Sequence, residues 1–279
     1  MTELNSNINL SEIELKHILT EVKCLTGFDF SQYAFNFIKS RTEKFMYKNN
    51  VVSEADLIYK INNSTNVAGM FLDNVFFPQY ELFRDAEMWN YIEQNIIPKF
   101  IKKTEVKIHF PFSSGGENLF SFLYILKNFN TENFQIHITG VSDKHIAEIK
   151  KAQFTATHIK ASEKNIGLLN SAIDKDDVFI SKHNDLFEIN YNYKGELIYS
   201  TCDFFKEQHL SEFDLVFFQN KMIFFNSELK EKALAAIIRS LKKGSYIVIG
   251  EKEQIGRNAE RKIKQVDKKI SLYKRKIFS

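Results

Sequence analysis

Apolar residues along this chain follow two different periods, and the change between them is clearest from 212 to 253. Leu215–Phe218 is a short unbroken apolar run, the pattern of a strand buried on both faces. The polar pair Gln219 and Asn220 closes it. From Ser227 to Leu241 the apolar positions Leu229, Ala233, Ile237 and Leu241 recur at helical spacing, which predicts a helix. Lys242, Lys243 and Gly244 are read as its end, and Tyr246–Ile249 as a second buried strand. Strand, helix and strand in this order predict a parallel α/β unit, in which ligands sit beyond the carboxyl ends of the strands.

The same reading divides the rest of the chain in two. Ser11 and Glu14 have the spacing of a capping box, and a helix to about Lys23 follows, with Ile13, Leu15, Ile18, Leu19 and Val22 as its apolar surface. Residues 31–48 read as a second helix with Phe35, Phe37, Ile38, Phe45 and Met46 buried. Ser53 caps a third helix, with Leu57, Ile58 and Ile61 facing inward, and 67–75 is a short helix or turn. A helix over 84–102 with Pro98 near its end leads onward. Residues 1–103 are therefore expected to form an all-helical N-terminal domain, and 104–279 an α/β domain. In the latter, 106–112 and 134–141 are strands, 119–129 and 143–153 helices, and SSGGEN a tight turn. Residues 155–200 break the rhythm, with Ala161–Leu169 open to a helical reading. Their Asn-Asp and Lys-Gly turns predict a small antiparallel β insertion at about 160–196, after which Leu197–Thr201 rejoins the main sheet. The alternating tail from Lys268 to Phe278 reads as a last strand, antiparallel at an edge.

Composition narrows the classes. Twenty-seven Phe against 3 Pro and 10 Gly favour packed elements over linkers. A net charge of +3, concentrated after Arg257, disfavours nucleic acid as a partner. The two cysteines, Cys24 and Cys202, have no metal or disulfide spacing and fit a reducing, cytoplasmic compartment; Cys202 reads as a small buried hydrophobe. No apolar run reaches the 18 residues of a membrane span, and the first residues lack a signal-peptide pattern, so no membrane insertion is expected.

Candidate chemistry lies at strand ends. The turn Ser113-Ser114-Gly115-Gly116-Glu117 can set backbone N–H groups and a carboxylate beside a ligand at a helix start, or serve as an ordinary turn. It is neither a dinucleotide fingerprint nor a phosphate loop. The second strand ends at Gly140, which offers a ribose no carboxylate, and Asp143 beyond it reads equally as a helix cap. Asn220 can hydrogen-bond a ligand or its own backbone. His109 and His137 can meet across two strands, without metal-site spacing.

Four motifs, in order, carry a resemblance. YELFRDAEMWNYIEQNIIPKF (80–100), SSGGENLFSFLYIL (113–126), FDLVFFQNKMIFFN (213–226) and LKKGSYIVIGEKEQI (241–255) resemble those of the chemotaxis receptor glutamate methyltransferases, the CheR family. The family's Gly-Glu-Glu-Pro-Tyr-Ser core stands here as Gly116-Glu117-Asn118-Leu119-Phe120-Ser121. The resemblance implies a doubly wound S-adenosylmethionine methyltransferase sheet, a helical N-terminal domain and an inserted β subdomain that helps engage a receptor. It implies methyl transfer to a protein glutamate, with Arg84 holding cofactor and substrate, and Gly115, Gly116, Glu117, Ser142 and Asn220 at cofactor-binding positions. It also marks departures. The ribose-binding acid falls at Gly140 and the next family acid at Ser142. The family arginine has become Gln219, its tyrosine Phe224, and its His-Ser-Glu reads Glu251-Lys252-Glu253. Each charge-assisted bond lost with the ribose acid is worth about 1.5–3 kcal/mol. Two functions therefore stand side by side: an active methyltransferase acting on a protein partner, and a degenerate one serving as a binding or scaffold module in signalling. Methyl transfer to RNA is a third, disfavoured by the weak charge and the lack of interleaved basic and aromatic residues.

Overall fold

A computed structural model describes residues 8–75, 81–113, 115–140, 143–170, 175–182, 186–201 and 212–277. The chain divides into two compact units, residues 1–77 with 223–230, and residues 78–222 with 231–279. Each is described by itself.

The first unit is built on four helices: α1 (Glu12–Thr26), α2 (Phe35–Lys48), α3 (Glu54–Asn63) and α4 (Thr65–Val75). Ser11 caps α1 by accepting from the Glu14 N–H at 3.3 Å, while the Glu14 carboxylate accepts from the Ser11 N–H at 2.7 Å, the reciprocal box that the spacing predicts. Ser53 caps α3 by accepting from the Asp56 N–H at 3.2 Å. Leu15, Ile18, Val22, Ile38, Phe45, Met46, Leu57, Ile61 and Phe71 form the core. Two residues assigned inward from periodicity face outward: Ile13 is 81% exposed and Phe35 40% exposed. Both stand in a first helical turn, where neighbouring helices no longer cover the stripe. Residues 223–230 belong to this unit through backbone bonds: Ala34 N–H to the Phe224 carbonyl at 2.8 Å and Asn226 N–H to the Gln32 carbonyl at 2.9 Å.

The second unit opens with α5 (Ala86–Tyr91), a π-helical turn (Ile92–Ile96) and α6 (Ile97–Phe100). The sequence placed these residues in the helical domain ending at 103. Here Met88, Trp89, Ile92, Ile96 and Ile97 are buried in the α/β core instead. Then follow β1 (Val106–Phe110), α7 (Glu117–Leu126), β2 (Phe134–Gly140), α8 (Asp143–Lys151), β3 (Gln153–Thr155), α9 (Ala156–Ile166), α10 (Lys175–Val178), β4 (Phe179–Ser181), β5 (Leu186–Ile189), β6 (Glu196–Thr201) and β7 (Phe213–Phe218). The chain ends with α11 (Ser227–Ser240), β8 (Leu241–Ile249), α12 (Arg257–Glu260), β9 (Ile263–Gln265) and β10 (Leu272–Arg275). The main sheet has seven strands in the order β6-β2-β1-β7-β8-β10-β9. The first five are mutually parallel, and β10 is antiparallel to β8 and β9. The order reverses between β1 and β7, which puts the ligand crevice of a doubly wound sheet over their carboxyl ends.

Two strand readings change. The tail strand β10 is not an edge: β9 lies outside it, a three-residue strand hidden from the sequence by its basic surroundings. Strand β8 begins at Leu241, directly after α11, and runs through Gly244. Gly244 takes φ 78°, and the register with β7 jumps from Phe213–Leu241 to Leu215–Tyr246, so the glycine marks a bulge and not a helix end. A separate antiparallel sheet, β3-β5-β4, lies within residues 153–189. Among the described residues no helix is long and apolar enough to cross a membrane.

Aromatic rings form the middle of the second unit. Phe217 stacks on Phe110 at 4.6 Å and on Trp89 at 5.2 Å, and Phe83 meets Trp89 edge-on. His109 and His137 are register partners, as the sequence allowed. Burial, reinforced by His137, depresses His109 to about 3, so it is neutral at pH 7.

The far end of the sheet is tied electrostatically. Asp214, fully buried in β7, accepts from Lys103 at 2.6 Å, Lys242 at 2.8 Å and the Lys107 N–H at 3.0 Å. Burial opposes its charge, but the two ammonium groups and the N–H outweigh it and hold its pKa below the usual value. Asp214→Asn should cost about 2–3 kcal/mol of unfolding free energy in urea titrations at pH 7. Because the folded pKa is depressed, this contribution is present above the unfolded value of 3.8 and lost as pH falls through the folded one. The gap between wild type and variant should therefore close in acid.

Candidate functional site

A pocket of about 260 Å³, its solvent-open part included, lies over the switch point. Phe110, Pro111 and Ser113 from the end of β1, Gly116, Glu117 and Asn118 from the start of α7, and Phe217 and Lys221 from the end of β7 line it. All belong to the second unit.

The turn before α7 is shaped by its glycines. Gly116 takes φ 85°, a left-handed conformation that a side chain resists. The Gly115 N–H donates to Glu117 Oε2 at 3.2 Å. Glu117 is 2% exposed, and its Oε1 is buried without a hydrogen-bond partner. Burial raises its pKa, against the pull of Lys221 and of backbone N–H groups including that of Gly115. Burial likewise lowers the pKa of Lys221, against the Glu117 and Glu253 carboxylates.

Glu253 holds the facing loop. Its Oε2 accepts from the Asn220 and Gly250 N–H groups, both at 2.8 Å, and its Oε1 from the Met222 N–H at 2.6 Å. Asn220 takes a left-handed φ of 56°, which asparagine tolerates, and its Nδ2 is a buried donor without a partner. A Cβ on Gly250 would meet Asn220 Oδ1 at 2.6 Å and Glu253 Oε2 at 2.9 Å, so only glycine fits there.

Arg84 stands in a rigid segment. The Leu82 and Phe83 N–H groups donate to the hydroxyls of Ser162 and Ser121, each at 2.9 Å, and Trp89 Nε1 donates to the Arg84 carbonyl at 2.9 Å. Phe83 and Asp85, on either side of it, have φ of 52° and 61°. Such backbone strain is sustained where the surroundings over-determine it, often at functional sites. The Arg84 side chain is 35% exposed, with Nε 3.9 Å from Glu81 Oε2. Asp85 accepts from Gln219 Nε2 at 3.3 Å. Burial, opposed by Arg84 and reinforced by Glu251, raises the Asp85 pKa.

Of the residues chosen from the sequence, Gly116 and Glu117 line the pocket and Gly115 braces Glu117. Arg84, Asn220 and Gln219 are outside its lining, and Gln219 is fully buried against Asp85. Phe224 counts with the first unit, where its ring lies 4.5 Å from that of Phe37. At Gly140 an added Cβ would meet Ile146 Cδ1 at 2.8 Å, so an isoleucine fills the place of the expected ribose acid. Ser114, Ser142 and Cys202 lie outside the described residues. Among the described residues no group of His, Cys, Asp and Glu could hold a metal. Sequence reasoning missed Lys221 and the roles of Glu253 and Asp85. Lys221 did leave a signal, as a lone charge in the apolar stretch 215–225.

This strand order, with a crevice over the switch of a doubly wound sheet, defines a methyltransferase-like α/β domain. The chain belongs to the CheR methyltransferase family: the family model described as CheR methyltransferase, SAM binding domain, matches residues 79–271. A chemotaxis protein methyltransferase of Borreliella burgdorferi is 24% identical over 273 residues, covering 92% of this chain and 93% of that protein. One from Listeria innocua is 23% identical over 237 residues, covering 84% and 87%. The putative methyltransferase Cher3 of Pseudomonas putida is 19% identical over 246 residues, covering 88% and 90%. Among solved structures, a TehB-like SAM-dependent methyltransferase from Corynebacterium glutamicum matches 68% of this chain and 93% of its own, with TM-score 0.35 and 14% identity.

S-adenosylmethionine is the cofactor of this domain. In the pocket lining Glu117 Oε1 is an unused buried acceptor, which fits a polar group of that cofactor. At Gly140, the expected ribose position, Ile146 Cδ1 lies 2.8 Å and His145 Nδ1 3.9 Å from where a Cβ would stand.

Glu253→Ala removes three charge-assisted bonds to backbone N–H groups. It should lower stability by about 2–4 kcal/mol and speed hydrogen exchange at the Asn220 and Met222 amides more than elsewhere in the unit.

Proposed function

We propose that the chain transfers a methyl group from S-adenosylmethionine to the carboxylate of a glutamate on a protein partner, a receptor or signalling protein of a chemosensory system, at the cytoplasmic side. Methyl transfer follows from the family. The observation that carries the carboxylate acceptor is Arg84: a guanidinium on a pinned, strained segment, only loosely paired with an exposed glutamate at 3.9 Å. A substrate carboxylate takes that place without disturbing a buried bond. Bound S-adenosylmethionine supplies an activated methyl group. A glutamate is ionised at pH 7, so the protein need not remove a proton. Its residues position the acceptor and shield the reacting groups from water. Arg84 orients the acceptor, Glu117 and Asn220 bind the cofactor, and the Phe110–Phe217 pair excludes water. The β3-β5-β4 sheet is the proposed receptor-engaging subdomain.

A second reading, the fold kept as a binding or scaffold module, is favoured by Ile146 in the space beside Gly140. Titration calorimetry separates the two: micromolar binding of S-adenosylhomocysteine supports the enzyme, and no heat near millimolar ligand supports the scaffold. For the enzyme, radiolabelled S-adenosylmethionine and chemoreceptor membranes should yield base-labile label on glutamate. Arg84→Ala should cut that rate by about a hundredfold or more at unchanged stability. An unchanged rate overturns the assignment of Arg84.

A further inference from the structure

Nine basic residues between Arg257 and Lys276 take no part in the site described above. Only two acids, Glu260 and Asp267, stand among them, so this stretch carries a net charge of +7 and the rest of the chain −4. The fold gathers them at one edge of the main sheet, on α12, β9, β10 and the segments joining them. Seven of the nine are exposed. Among the described residues none of the nine forms an ion pair. Arg275 and Lys276 donate instead to the carbonyls of Leu241 and Glu260.

Protection of a sheet edge does not account for this charge. Lysine on an edge strand discourages pairing with another sheet. Yet β9 holds one lysine, Lys264, and β10 is not an edge. Lys264 and Lys274 are direct register partners, and like charges so placed weaken the pairing of their strands. An anionic surface outside the sheet relieves that repulsion.

The surroundings of the cations point to the kind of surface. Ile277 is 54% exposed and lies beside Lys274: a Cβ on Gly244 would meet Ile277 Cγ1 and Lys274 Cε, each at 3.9 Å. Cations around an exposed apolar side chain match the interface of an anionic bilayer. Single-stranded nucleic acid is bound instead on open aromatic rings. Tyr273, the one aromatic residue of 257–276, is half-buried, and the neighbouring Tyr246 ring has the Lys274 ammonium 5.5 Å from its centre.

We propose that the α12–β9–β10 edge docks on the anionic headgroups of a lipid bilayer and holds the protein at a membrane surface without inserting into it. The negative remainder of the chain favours the orientation with this edge toward the membrane. None of the pocket residues lies on this edge, so docking there needs neither cofactor nor methyl transfer.

Pelleting of the full chain with vesicles tests the docking, using equimolar phosphatidylglycerol and phosphatidylcholine against phosphatidylcholine alone. The edge variant combines Arg261→Gln, Lys262→Gln, Lys268→Gln and Lys269→Gln. A control loses the same charge through Lys127→Gln, Lys151→Gln, Lys160→Gln and Lys164→Gln, exposed elsewhere in the same unit. Wild type and control should bind the mixed vesicles, leave the neutral ones, and be released by high salt. The edge variant should bind about a hundredfold or more weakly. Circular dichroism confirms that each variant is folded. Absent binding, equal binding to neutral vesicles, or an equal loss in the control overturns the docking edge. Tighter, edge-dependent binding to polyglutamate or to RNA assigns the edge to an acidic protein or a nucleic acid, and overturns the membrane as its partner.

Discussion

The carboxylate of Glu253 is the tie on which the site depends. It takes three backbone N–H groups, from Asn220, Met222 and Gly250, and so joins the loop after β7 to the end of β8. A loop between two parallel strands would otherwise leave these donors to water, with its side chains mobile. Gly250 makes the approach possible, since any Cβ would displace Asn220 or Glu253. With that loop anchored, Lys221 reaches the pocket and Asn220 keeps its left-handed backbone.

The sheet is held differently at its two ends. At the amino ends of the strands, Asp214 draws Lys103, Lys242 and a backbone N–H around one buried charge whose pairing is complete. At the carboxyl ends, Glu117 and Asn220 each retain a buried polar atom without a partner. Removing one partner of a paired buried charge is costly, because the other is left uncompensated. An unpaired one costs free energy unless a ligand satisfies it. Between the two ends the Trp89–Phe217–Phe110 stack fills the interior, which accounts for part of the high phenylalanine content.

The departures from the family pattern have a spatial logic. The acid missing at Gly140 leaves no hole, because Ile146 occupies the space. The arginine replaced by Gln219 leaves an amide against Asp85. Both changes exchange ligand-directed charge for internal packing. Lys221, two residues further along, lines the pocket.

Much was legible in the sequence because periodicity and strand-end polarity are local properties. The capping box of α1, the unbroken apolar run of β7, the glycine turn before α7 and the four motifs lie within short windows, and they determined the α/β class, the helical first unit and the candidate residues Glu117 and Asn220. What remained was set by contacts between distant residues. Periodicity marks an apolar face but cannot say whether another helix covers it, so Ile13 and Phe35 were misplaced. A three-residue strand such as β9 has no pattern of its own and exists because β10 offers it hydrogen bonds. The pairing of Glu253 with a loop some thirty residues away, and the meeting of Lys221 with Glu117 across the crevice, arise only once the sheet has brought the ends of β1, β7 and β8 together.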